Sequence, residues 1–132
     1  MGFFDIFKQQ PEPAMLETVE VPWHQLNTME QLESLVQESK TQPIAIFKHS
    51  TRCGISRSVL KQFERNFNLK EDQIKLYFLD LLQNRDISNE IAAKFKVHHE
   101  SPQMLLIKDG VVVHHHSHHE IDAAHLEHFV KN

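Results

Sequence analysis

The sequence has a single cysteine, Cys53, among its 132 residues. No disulfide can close within such a chain, and the cysteine-rich zinc spacings are excluded. Nor does any stretch approach the roughly 20 consecutive apolar residues of a membrane-spanning helix. A basic surplus is missing as well. The formal net charge is −4 with the histidines neutral, which argues against a nucleic-acid partner, because phosphate binding needs a concentrated basic surface. Lys94, Lys96 and Lys108 are scattered, as on a solvated face. The start, Met1 to Phe7, has neither the basic region nor the small-residue cleavage site of a signal peptide. Gly2 follows Met1, but Ile6 stands where a myristoylation signal wants Ser or Thr. No internal repeat is present. The expectation is a cytoplasmic protein without membrane or nucleic-acid partners, and one reduced thiol agrees with that compartment.

What is present reads as one domain, long enough to bury a core. Gln9 to Pro13 cannot hold a helix across its prolines. Residues 1–16 are therefore expected to be a tail and linker, with Phe3, Phe4, Ile6 and Phe7 packing loosely on a domain spanning 17–132. Thr18 to Pro22 reads as a short first strand. Thr28 and Gln31 form a capping box ahead of a helix whose stripe is Leu32, Leu35 and Val36. Ile44 to Phe47 is a continuous apolar run suited to a strand buried on both faces. Ile55, Val59, Phe63 and Phe67 recur at helical spacing, with Ile55 expected to begin the packed face. Ile74 to Leu79 is the next strand, and Asp86 or Ser88 caps a helix bearing Ile91 and Phe95. Met104 to Ile107 turns at Asp109-Gly110 into Val111 to Val113 as a hairpin. A last helix carries Leu126, Phe129 and Val130. The order β-α-β-α-β-α-β-β-α implies an α/β fold, with a central mixed sheet and helices on both faces.

Cys53 lies between the second strand and the second helix, in His49-Ser50-Thr51-Arg52-Cys53-Gly54-Ile55-Ser56. The unpaired N–H groups and positive dipole end of a helix stabilise a thiolate there. With Arg52 beside it, the thiol pKa is expected to fall from ~8.5 toward ~6–7. His49 would add positive charge if protonated. A buried, inert cysteine is the bland alternative, but the neighbours Thr51, Arg52 and Gly54 are polar or tiny. Gly54 either leaves room for a substrate to approach or simply begins the helix. Ser56 stands three residues on, where a dithiol oxidoreductase has its second cysteine. Its hydroxyl either donates to the thiolate or only satisfies the first helical turn. A thiol at the start of the second helix of this order is the thioredoxin architecture.

Histidines crowd the C-terminal third: His114, His115, His116, His118, His119, His125 and His128, with His98 and His99 before them. Alternation puts His114 and His116 on one side of a strand, where they could share a metal. No carboxylate or cysteine completes a structural zinc spacing, so the reading is a solvated edge strand and no physiological metal.

Thr-x-Cys-x-Ile-Ser at Thr51 to Ser56, followed by Glu100-Ser101-Pro102-Gln103, resembles the YtxJ-like family, the monothiol bacilliredoxins. The resemblance spans about Val19 to Val130. It implies a thioredoxin-like fold with a cis-proline at Pro102, opposite the thiol. It also implies thiol–disulfide exchange that removes bacillithiol from S-bacillithiolated client proteins. Cys53 would be the nucleophile, while Thr51, Arg52, Gly54, Ser56, Ser101 and Pro102 would line the substrate site. Bacillithiol would be the thiol co-substrate, with no tightly bound cofactor, and the chain would act as a monomer. Cys-Gly-Ile-Ser also resembles the Cys-Gly-Phe-Ser of monothiol glutaredoxins, which bridge a [2Fe–2S] cluster between subunits. A thiol-capped redox sensor is a third reading.

Overall fold

A computed structural model describes residues 21–131. The proposed tail and the boundary at residue 17 lie outside them. The first strand, β1, is Trp23–Gln25, later than the expected 18–22. Val21 and Pro22 precede it as irregular chain, and positions 18–20 are outside the described residues. The helix α1, Met29–Glu38, begins as expected. Thr28 accepts from the Gln31 N–H, and the Gln31 side chain accepts from the Thr28 N–H, closing the capping box. Then follow β2 (Ile44–His49), α2 (Gly54–Asn66), β3 (Lys75–Asp80) and α3 (Arg85–Phe95). The chain ends with β4 (Gln103–Lys108), β5 (Val111–Ser117), a single 3-10 turn and α4 (Ala123–Lys131).

The strands form one sheet in the order β1-β3-β2-β4-β5. β1, β3 and β2 run parallel, joined by helical crossovers, whereas β4 and β5 are antiparallel to their neighbours. The hairpin turn uses Asp109 and Gly110, both at positive φ, as a two-residue turn between twisted strands requires. β5 does not stop at Val113. It runs on through the histidine run to Ser117, because alternate side chains there can stay in solvent at a sheet edge.

Each face of the sheet buries its own core. Phe47, Phe63, Phe67, Met104, Leu126 and Phe129 pack between the sheet, α2 and α4. Leu32, Leu35, Ile46, Ile87, Ile91 and Leu105 pack on the other face under α1 and α3. β2 is buried along its whole length because both cores need it. Asn84, not Asp86 or Ser88, is the N-cap of α3. Both expected caps lie inside the helix, and Ser88 is buried there, its hydroxyl 3.3 Å from His99 Nδ1.

Candidate functional site

β2 ends at His49, and four residues later the chain turns into α2. Cys53 is the N-cap of that helix, with extended backbone at φ −103° and ψ 122°. Its own N–H donates to Ser50 O at 3.1 Å, which folds the loop back under the helix start. The thiol is therefore partly exposed at the end of the sheet. Its pKa is lowered. The backbone N–H of Ser56 is the largest cause, opposed by partial burial and reinforced by the N–H of Ile55, the Ser56 hydroxyl and the Arg57 charge. These are N–H dipoles aimed at the sulfur rather than a closed capping bond.

Thr51, Arg52 and Gly54 are exposed around the thiol, and Ser56 is fully buried one turn on. Of the two roles expected for the Ser56 hydroxyl, the structure supports the one toward the thiolate, and its other partner lies in the loop rather than in the first helical turn. Its Oγ accepts from the Ser50 N–H at 3.4 Å, and its hydroxyl also favours the thiolate. Three sequence expectations need correction here. Arg57, not Arg52, is the cation that acts on the thiol, since one helical turn returns residue 57 to the face of residue 53. Ile55 does not begin the packed face: it is 44% exposed beside the thiol, and packing starts at Ser56 and Val59. His49 adds no positive charge. It is buried against Phe47 and Phe78, and burial lowers its pKa, so the imidazole is neutral at pH 7.

Ser101 and Pro102 sit at the same end of the sheet. β4 starts where antiparallel β2 ends, with Lys48 opposite Gln103. The Ser101–Pro102 peptide is cis. Gln103 fixes the approach to it, donating from Nε2 to His98 O at 2.9 Å and accepting from the Glu100 N–H. The Pro102 carbonyl accepts from the His118 N–H, which ties the loop to the end of β5. Two buried polar atoms at this end of the sheet have no partner among the described residues: His49 Nδ1 and Ser101 Oγ. Sequence reasoning missed His49 as a buried neutral base, and only its place just beyond the apolar run Ile44 to Phe47 hinted at it.

The histidine run lies elsewhere. His114, His116, His125 and His128 edge a cavity of about 330 Å³ between β5 and α4, floored by Leu106, Val113 and Phe129. His116 and His125 stack at 4.1 Å. Among the described residues, no group of three or more His, Cys, Asp or Glu side chains is placed to hold a metal ion. No helix there is long and apolar enough to cross a membrane.

Comparison with known proteins fits this arrangement. The family model of monothiol bacilliredoxin BrxC matches residues 24–126. A solved structure described as a candidate oxidoreductase with a thioredoxin fold is 31% identical, with a TM-score of 0.71, over 84% of this chain and 95% of that one. The thioredoxin of Fasciola hepatica is 25% identical at a TM-score of 0.57, covering 81% of this chain and 95% of its own. The thioredoxin of Malassezia sympodialis, 16% identical at a TM-score of 0.64, covers 86% and 94% and shows the fold alone.

Proposed function

The chain belongs to the monothiol bacilliredoxin family, and from that premise we propose that it removes bacillithiol from S-bacillithiolated client proteins. The family and its fold make it a thiol oxidoreductase. The observation that carries the finer reading is a lone, partly exposed thiol of lowered pKa at a helix N-cap, with Ser56 in place of a second cysteine.

The Cys53 thiolate attacks the bacillithiol sulfur of the mixed disulfide. A new sulfur–sulfur bond forms at Cys53, the bond to the client breaks, and the client sulfur leaves with the electron pair and takes a proton. Ser56 has no sulfur, so bacillithiol stays on Cys53 until a second thiol of low molecular weight attacks it and restores the thiolate. The N–H dipoles of Ser56 and Ile55 stabilise the resting thiolate, and they also make Cys53 a good leaving group in that second step. Ser101 and Pro102, beside the thiol loop at one end of the sheet, would hold the client backbone.

Exchange with a bacillithiolated client, followed against pH, tests this. The rate should rise with an apparent pKa below the ~8.5 of a free cysteine, and Cys53→Ala should abolish it. A midpoint at or above that value, or turnover by the variant, would refute the proposal.

A further inference from the structure

A fixed cation stands beside the thiol, and the exchange chemistry alone does not use it fully. Arg57 Nη1 donates to Thr51 O at 2.9 Å, so the guanidinium is tied to the loop just before Cys53. Its Nη2 lies 3.8 Å from where a Cβ on Gly54 would sit. The group therefore reaches from the Thr51 carbonyl across the open face of Gly54, close enough for its charge to act on both Cys53 and His49. It is solvent-exposed, and among the described residues no carboxylate forms an ion pair with it. A guanidinium has five N–H donors in a planar fork, and Thr51 accepts from one of its nitrogens. The remaining donors suit a carboxylate, which takes two parallel N–H bonds.

We propose that Arg57 is a specificity-determining residue that binds a carboxylate on the small-thiol half of the mixed disulfide, across the bare face of Gly54. This rests on the exchange reading above and adds to it the chemical class of the small thiol and the choice of sulfur. A mixed disulfide has two sulfurs, and attack on the client sulfur would leave the client on Cys53. A carboxylate held by Arg57 places the small-thiol sulfur beside Sγ. The new bond then forms to that sulfur, the client sulfur departs with the electron pair, and no outside oxidant or reductant is needed.

The test uses one peptide whose cysteine is capped in turn by mercaptoacetate, mercaptoethanol or cysteamine. These caps are of similar length but anionic, neutral and cationic. Rates are compared at a pH where Cys53 is fully ionised in every variant, which removes the effect of Arg57 on the thiol itself. Wild type should favour the mercaptoacetate cap over the mercaptoethanol cap by about tenfold in kcat/KM, the scale of a hydrogen-bonded charge pair. Cysteamine should be the poorest of the three. Arg57→Gln should lose about tenfold on mercaptoacetate and about threefold or less on the others, collapsing the preference. Arg57→Lys should fall between, because it keeps the charge without the fork. Equal loss on all three caps in Arg57→Gln, or no preference in wild type, would overturn the assignment. No exchange with any cap in wild type would overturn the exchange chemistry, and this inference with it.

Discussion

Lys48 is a charged residue with no exposed surface, in a strand where every neighbour is buried. Its Nζ lies 3.5 Å from Ser88 O and 3.3 Å from His99 Nδ1, and burial lowers its pKa from 10.5 to about 8. A base with a depressed folded pKa binds fewer protons folded than unfolded between about 8 and 10.5. Stability therefore rises with pH across that window, and the full cost, roughly 3 kcal/mol, is present below it. Lys48→Met should raise the urea midpoint at pH 7, with the advantage shrinking toward pH 10.5. A destabilised variant at pH 7 would show that the bonds to Ser88 and His99 outweigh desolvation. At this scale the sequence was partly legible. Cys53 declared itself by its place between an apolar run and a helical stripe, and Ser56 by its spacing. Arg57 was overlooked in favour of Arg52, because adjacency in sequence was weighed ahead of the four-residue return of a helix. The neutral state of His49 was not legible either, since it depends on burial and on the Phe78 ring of β3, distant in sequence.

The start of α2 is the element that makes the thiol unusual, and it can be rebuilt by one substitution. Ser56 sits one turn after Cys53 on the same helical face. Ser56→Cys should therefore let a new thiol attack the Cys53–bacillithiol disulfide. Free bacillithiol and an internal disulfide should result, seen as a protein two protons lighter than its reduced form. Persistence of the bacillithiol adduct in that variant would mean that the buried position of residue 56 bars the attack. The elements themselves were well marked where local signals agreed. Thr28 and Gln31 gave the start of α1, and Asp109-Gly110 gave the hairpin. The N-cap of α3 was misplaced because Asn, Asp and Ser cap about equally well, so side-chain type does not choose among residues 84, 86 and 88, and the Asn84 side chain makes no capping bond. Burial of Ile87, Ser88 and Ile91 set the helix start instead. β5 outran its apolar residues because edge pairing with β4 needs backbone groups, not hydrophobic side chains.

At the scale of the molecule, five strands and four α-helices among the described residues bring two distant segments to one sheet end. The antiparallel pairing of β2 with β4 does this, placing Lys48 opposite Gln103 and so the thiol loop beside the Ser101–Pro102 peptide. The alternation of elements pointed to the fold, whereas the pairing of residues some fifty apart came only through resemblance to a family with that arrangement. Fold and family settle the oxidoreductase class. The central claim is narrower: one thiol takes bacillithiol from a client and keeps it. Intact mass of both proteins after anaerobic incubation with a bacillithiolated client measures this directly. The expected result is a client lighter by one bacillithiol and this protein heavier by one, absent in Cys53→Ala and reversed by added small thiol. An unmodified protein beside an unchanged client, or a stable disulfide joining Cys53 to the client, would contradict it.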